Sequence, residues 1–97
     1  MTTPRCIAPG DLVAHNNEVD GCEVYDTLMY EGDYCVGGDA IGFSHPGHPM
    51  LVISSQKVLV RDKSKNKWVN AIYVMAGDAL LGWTWDDYVY LIREGEK

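Results

Sequence analysis

The second half of the chain is a succession of short apolar runs separated by turn residues, and this pattern limits the possible folds most strongly. The runs are rich in β-branched and aromatic side chains, which favour strands. No stretch has the sustained apolar spacing of three and four residues that is typical of an amphipathic helix. The runs are MLVIS (50–54), KVLVRD (57–62), KWVNAIYVM (67–75), ALLGW (79–83) and DYVYLI (87–92). Short strands at these intervals predict an all-β sandwich or barrel.

The residues between these runs indicate where the chain turns. Residues 55 and 56, Ser-Gln, are expected to separate the first two runs, and the polar KSKN at 63–66 is expected to form a hairpin tip. A four-residue tip would place Asp62 opposite Lys67, and their opposite charges would help to hold the register. A 3-10 turn is predicted near residues 84–87, where one of two adjacent aspartates is expected to accept a backbone N–H.

The first half of the chain is less regular. PGDLV (9–13) predicts a turn that leads into a first strand. Between residues 16 and 49 Gly, Asp and Pro recur, and only short strands are expected, at 23–30 and 34–36. We therefore predict one domain over residues 1–97, an all-β small barrel of five to seven short antiparallel strands with a long N-terminal loop region.

Composition excludes several classes of protein. The net charge of -6 argues against nucleic-acid binding, which draws on clustered Lys and Arg. No apolar run approaches the length of a membrane span, and the N-terminus lacks the apolar core of a signal peptide. An odd number of cysteines, Cys6, Cys22 and Cys35, fits reduced thiols in the cytoplasm, although a bridge between the last two stays open. We expect a cytoplasmic protein, or a virion-associated one if the chain comes from a phage.

The charges are unevenly distributed. Residues 11–39 contain eight carboxylates and no Lys or Arg, whereas five cations gather later, at Lys57, Arg61, Lys63, Lys65 and Lys67. This asymmetry could steer self-association or a charged partner, and a solvated loop with a solubilising hairpin tip explains it equally well.

The segment GWTWDDYVYLI (82–92) resembles the end of an SH3 domain. In SH3 domains the chain ends with a glycine, two apolar residues, a proline, two polar residues and then Tyr-Val. The corresponding places here are Gly82, Trp83, Thr84, Trp85, Asp86, Asp87, Tyr88 and Val89, with Trp85 at the proline place.

Other segments resemble the same family. KWVNA (67–71) is similar to the central strand that opens with a tryptophan, and EVYD (23–26) with GGDAI (37–41) is similar to the segments around the RT loop. PGDLV (9–13) resembles the first strand of SH3-like barrel proteins from bacteria and tailed phages. The resemblance implies an SH3-like barrel with a 3-10 turn before its last strand.

The resemblance also implies a binding surface. In SH3 domains a tryptophan and tyrosines form a groove for proline-rich peptides, whose polyproline II shape stacks on flat rings. The corresponding partner-binding residues are Tyr25, Trp68, Trp85 and Tyr88. The alternative is that Trp83, Trp85 and Tyr88 fill the core and pack the corner of the barrel.

Metal binding and catalysis are the chemistries that could compete with this interpretation. In SHPGHP (44–49), His45 and His48 could share a metal ion with Cys22 or Cys35, and the alternative is a rigid proline-containing loop. No catalytic motif such as GxSxG, HExxH or a P-loop occurs. We therefore expect no enzyme activity, no catalytic residues and no cofactor.

The leading expectation is a non-catalytic interaction or structural module, an accessory protein of a phage or a bacterium. It would bind a protein partner or another copy of itself, with no nucleic acid and no membrane involved. An exposed apolar patch at Tyr30, Tyr34 and Phe43 would suit self-association. A small metal-binding protein and a receptor for proline-rich peptides are the alternatives.

Overall fold

The computed structural model describes residues 7–16, 23–43, 47–62, 65–77 and 80–93. These residues contain no α-helix and form nine strands: β1 Leu12–His15, β2 Glu23–Tyr25, β3 Leu28–Glu31, β4 Tyr34–Gly37, β5 Ala40–Phe43, β6 Met50–Asp62, β7 Lys65–Met75, β8 Leu81–Trp85 and β9 Val89–Arg93. A 3-10 turn at Asp86–Tyr88 lies directly before β9. The all-β prediction and the predicted turn are both confirmed.

Seven of the strands form one antiparallel sheet in the order β5-β2-β8-β7-β6-β1-β9, which curls into a half-barrel. Strands β3 and β4 form a separate two-stranded hairpin. In the strand order β6 and β7 lie between β1 and β8, but the curl of the sheet brings β1 and β8 close together. This proximity is shown by His15 on β1, whose Nε2 lies 3.0 Å from Thr84 Oγ1 on β8. The region predicted to be a long loop thus contributes four of the nine described strands, β2 to β5.

The central hairpin of the sheet is longer than the sequence indicates. β6 has 13 residues and β7 has 11, and the expected turn at residues 55 and 56 does not exist. Ser55 and Gln56 instead pair with Ile72 and Ala71 in a continuous ladder. The irregularity lies earlier, between Val52 and Ser54, where one extra residue forms a β-bulge and the pairing then continues.

The register at the far end of this hairpin also differs from the prediction. Asp62 pairs with Lys65, and Lys67 lies opposite Val60, so the expected pairing of Asp62 with Lys67 is wrong. The strands extend further toward the tip than the four-residue turn allowed, and residues 63 and 64 lie outside the described part of the chain. Lys67 contacts Asp87 of the 3-10 turn instead, with 2.9 Å between Nζ and Oδ2.

Alternation along β7 separates two cores on opposite faces of the sheet. One face of the sheet, which we call the inner face, carries the first core. Its buried residues are Val13, Met50, Val52, Ile72 and Val74. We call the outer face the one covered by the β3–β4 hairpin, where Cys35, Val58, Val69 and Ala71 form the second core. The bulge at residue 53 allows β6 to supply apolar residues to both faces, since Val52 is opposite Val74 and Ser54 is opposite Tyr73.

The predicted turn before the first strand is confirmed. Gly10 has a φ of 93°, which glycine adopts without strain, and the Asp11 N–H donates to the Ala8 carbonyl over 3.1 Å. Asp11 is fully buried, and its Oδ2 accepts the Ala8 N–H at 2.9 Å. The same turn is hydrogen-bonded to Val52 of β6 through the Gly10 N–H and the Asp11 carbonyl, so it fixes the start of β1 against the sheet.

Candidate functional site

A groove of about 430 Å³ lies between the β3–β4 hairpin and the outer face of the sheet. Five elements contribute to it, namely β4, β6, β7, β8 and the 3-10 turn. The lining residues are Cys35, Val36, Gly37, Val60, Arg61, Lys67, Val69, Trp85, Asp87 and Tyr88. The groove therefore combines aliphatic and aromatic surface with charged groups of both signs.

The hairpin is held over the sheet by polar contacts around a small apolar centre. Tyr34 Oη donates to Asn66 Oδ1 at 2.7 Å, and Gln56 Nε2 donates to Tyr30 Oη at 2.8 Å. Between these two contacts Cys35 is buried against the outer core. Burial raises the pKa of the Cys35 thiol, and a hydrogen bond with Tyr30 opposes that shift. The hairpin thus covers the sheet without closing the groove.

Tyr25, Trp85 and Tyr88 lie together at the aromatic side of the groove. Trp85 and Tyr88 line it, and the ring centroids of Tyr25 and Trp85 are 6.4 Å apart. The Tyr25 ring packs closely against Gly37: a Cβ added at Gly37 would lie 2.6 Å from Tyr25 Cγ. Three of the four predicted binding residues are therefore neighbours, with Tyr25 supporting the groove and Trp85 and Tyr88 facing it.

Tyr25 remains a neutral hydrogen-bond donor in this position. Burial, followed by the hydrogen bond and the negative charge of Glu23, raises the pKa of Tyr25 to about 12. Its hydroxyl donates to Glu23 Oε2 at 2.9 Å. The Tyr25 ring is consequently held in one orientation beneath Gly37 and Trp85.

Trp68, the fourth predicted residue, lies on the other face of β7. Lys67 and Val69 line the groove, and because side chains alternate along a strand, Trp68 between them points away from it. Its side chain is 62% exposed, and Lys57 Nζ lies 5.8 Å from its ring centroid. Trp68 therefore belongs to a separate exposed surface.

Sequence reasoning missed the cationic side of the groove. The Arg61 guanidinium lies over the Tyr34 ring, 5.2 Å from its centroid, and Lys67 forms the ion pair with Asp87. The cluster of cations at residues 57–67 was visible in the sequence. Which of them face the groove depends on where the hairpin packs, and no local pattern encodes that.

Asp86 accounts for the geometry of the 3-10 turn beside the groove. Its Oδ1 accepts the backbone N–H of Asn70 at 3.1 Å, and its Oδ2 accepts the Asn70 side-chain amide at 3.1 Å. One aspartate was expected to satisfy a backbone N–H, and the structure shows that this N–H belongs to β7. The turn is thereby fixed to the sheet, which positions Asp87 and Tyr88 at the groove.

The other predicted clusters lie apart or outside the described residues. Tyr30 and Tyr34 are on the hairpin and make the hydrogen bonds given above, whereas Phe43 is on β5 at the edge of the large sheet. His48 is exposed, and His45 and Cys22 lie outside the described part of the chain. Among the described residues no three His, Cys, Asp or Glu side chains are close enough to hold a metal ion. Cys35 is a free thiol.

A buried polar pair lies on the inner face, away from the groove. His15 and Thr84 are both fully buried, and the imidazole Nε2 shares a hydrogen bond of 3.0 Å with the Thr84 hydroxyl. Burial lowers the pKa of His15 to about 4, so the imidazole is neutral at pH 7. This pair connects β1 to β8 across the half-barrel and has no access to solvent.

Comparison of the chain with protein-family models, with curated proteins and with solved structures gives no match. Within the residues that the structure describes, no helix has the length and apolar character of a membrane span. The functional argument therefore rests on the geometry of the groove.

Proposed function

We propose that this chain is a non-catalytic protein-interaction module of the SH3-like barrel class, which binds an extended segment of a protein partner. The observation that carries the proposal is the groove between the hairpin and the outer face, where Trp85 and Tyr88 lie beside polar and charged side chains. The half-barrel with its 3-10 turn before the last strand supports the assignment to this class.

The dimensions and chemistry of the groove suit a peptide. A volume of about 430 Å³ is within the range of ligand sites and accommodates a few residues of extended chain. Flat aromatic surface can contact the rigid rings of prolines at a low entropic cost, and the charged rim can orient the segment. Proline-rich segments are therefore the first peptides to test.

The test is a titration of the protein with a library of proline-rich peptides, followed by NMR chemical shifts and tryptophan fluorescence. Tyr88→Ala removes a ring that lines the groove, and Tyr90→Ala removes an exposed ring two residues later on β9 as a matched control. We expect at least one peptide to bind, and Tyr88→Ala to weaken it about tenfold, as loss of an aromatic contact in a binding site does. If no peptide shifts the groove resonances, or if both variants weaken binding equally, the proposal is wrong.

Self-association is a second candidate, favoured by the two edge strands. Among the described strands β5 and β9 end the large sheet, and each carries exposed apolar side chains, Ile41 and Phe43 on β5 and Tyr90 and Ile92 on β9. Unpaired edges of this kind can pair with another chain. Light scattering above the monomer mass, lost in Phe43→Lys and retained in Trp68→Lys, would support it. A monomer at millimolar concentration contradicts it.

A further inference from the structure

We propose that the groove selects segments that carry a carboxylate, and that Arg61 is the residue that binds this group. The inference rests on the proposed function of the groove and adds the charge of its occupant. It depends on three observations: the fixed position of the guanidinium, the balance of charges around it, and the aromatic surface beside it.

Arg61 is held in place by residues of both sheets. Its guanidinium lies 5.2 Å from the centroid of the Tyr34 ring, and the Tyr34 hydroxyl donates to Asn66 Oδ1 at 2.7 Å. Asn66 is itself the residue opposite Arg61 in the β6–β7 ladder. A guanidinium over an aromatic ring keeps its N–H donors available at its edge, so the stack orients the group for a planar acceptor.

The charges around the groove favour an anion at Arg61. Two cations and one carboxylate line the groove, and that carboxylate, Asp87, already forms an ion pair of 2.9 Å with Lys67. Among the side chains that the structure describes, no carboxylate forms an ion pair with Arg61. The groove therefore presents a positive charge on a chain whose net charge is -6. A carboxylate is the acceptor that fits the fork of the guanidinium with two parallel hydrogen bonds.

The neighbouring rings define the rest of the occupant. Trp85 and Tyr88 lie on the same groove as Arg61, so one extended segment can place a carboxylate on the guanidinium and apolar side chains on the rings. The preferred ligand is thus an extended peptide in which Asp or Glu is flanked by proline or aliphatic residues.

The experiment compares two libraries of blocked peptides on the unmodified protein. Both contain proline and leucine at the same positions, and they differ only by glutamate or glutamine at one position. We expect the glutamate peptides to bind about tenfold more tightly at low salt, as expected for hydrogen bonds to charged partners. We also expect the difference to shrink at high salt, because Arg61 is exposed to solvent and its charge is screened.

Variants assign the effect to Arg61. Arg61→Gln should remove the preference for glutamate, and Arg61→Lys should keep part of it, because the charge remains without the planar fork. Lys57→Gln is the matched control: it removes one cation from the same strand, and Lys57 lies over Trp68 outside the groove lining. Lys57→Gln should keep the full preference. Thermal unfolding of each variant verifies that it is folded.

The outcomes separate this inference from the proposed function. If both libraries bind the unmodified protein equally, the inference is overturned and peptide binding stands. If Arg61→Gln and Lys57→Gln reduce the preference equally, the charge of the whole protein is responsible and Arg61 is not the recognition residue. If neither library binds, both the inference and the proposed function are overturned.

Discussion

The two faces of the large sheet are packed in different ways. On the inner face five buried side chains contact one another, and the polar pair His15–Thr84 is enclosed with them. On the outer face the core is smaller, with four buried residues, and the hairpin above it is held at its rim by Tyr34–Asn66 and Gln56–Tyr30. A groove remains on the outer face.

This difference suggests a division of roles between the faces. Apolar packing that excludes water contributes most of the stability of a small domain, and the inner face has that character. Hydrogen bonds between exposed side chains contribute little to stability, so the outer cover can leave accessible surface for a ligand. Four predictions test this comparison, from the largest expected effect to the smallest.

Truncation of the inner core should be the most destabilising change. Ile72 is fully buried, and Ile72→Ala should lower the free energy of unfolding by about 3 kcal/mol through lost burial and a cavity. Val58→Ala in the outer core should cost about 1.5 kcal/mol, since fewer methyl groups are removed. Ile92→Ala, at a position 44% exposed, is the control and should change little. Chemical denaturation measures all three, and equal losses for Ile72→Ala and Ile92→Ala would contradict the assignment of the inner core.

Protonation of the buried His15 should make the protein less stable at acidic pH. His15 binds a proton near pH 4 when folded and near its ordinary pKa of 6.5 when unfolded, so between these values the unfolded state binds more protons. Stability therefore falls as pH decreases from 6.5 to 4, by about 3 kcal/mol from this residue. His15→Asn should flatten this part of the pH profile. An identical slope in His15→Asn and the unmodified protein would exclude the effect.

Close packing at Gly82 should show how tightly β2 and β8 meet. A Cβ at Gly82 would lie 2.3 Å from Val24 Cγ1 and 2.7 Å from the Tyr25 carbonyl oxygen, and the backbone atom cannot move aside easily. Gly82→Ala should therefore cost about 2 kcal/mol in the free energy of unfolding. A Cβ at Gly77 would have nothing within 4 Å of it, so Gly77→Ala should be nearly neutral. Similar thermal midpoints for the two variants would contradict this packing.

Loosening of the hairpin should have the smallest effect on global stability. Tyr34→Phe removes the hydrogen bond to Asn66 and should cost about 0.5 kcal/mol. It should nevertheless speed the reaction of Cys35 with a thiol reagent, because Cys35 is on the hairpin, is 2% exposed and packs against the outer core. The rate is measured in a background with Cys6→Ser and Cys22→Ser, and Tyr90→Phe serves as the control. An unchanged rate in Tyr34→Phe would mean that this contact does not hold the hairpin.

The strands were predictable from sequence where the local pattern determines them. β-branched runs located most of β6 and β7, and the Pro-Gly pair located the turn before β1. The bulge was missed because one extra residue in a strand does not alter the residue composition on which the prediction depended. The polar pair Ser55 and Gln56 was interpreted as a turn instead. A change of pairing register is a tertiary property, so the expected partner of Lys67 was also wrong.

The groove was predictable only in part. The aromatic residues at 85 and 88 were found because the C-terminal segment resembles a known arrangement. Arg61 was missed, since its place in the groove lining depends on the hairpin 24 or more residues earlier in the chain, at Tyr34 to Gly37. For Trp68 the alternation between Lys67 and Val69 already indicated opposite faces, and this signal was available in the sequence.

The bulge at Ile53 determines which residues of β6 lie on each face of the sheet. A regular ladder that kept Ile53 would shift every later residue of β6 by one position, so that Lys57 would lie opposite Val69 and Val58 opposite Trp68. Deleting Ile53 would leave the later pairs unchanged, because Ser54 would still lie opposite Tyr73. A sequence of the same length that could not form the bulge would therefore place lysine on the hairpin side and valine on the opposite side, without the loss of a single codon.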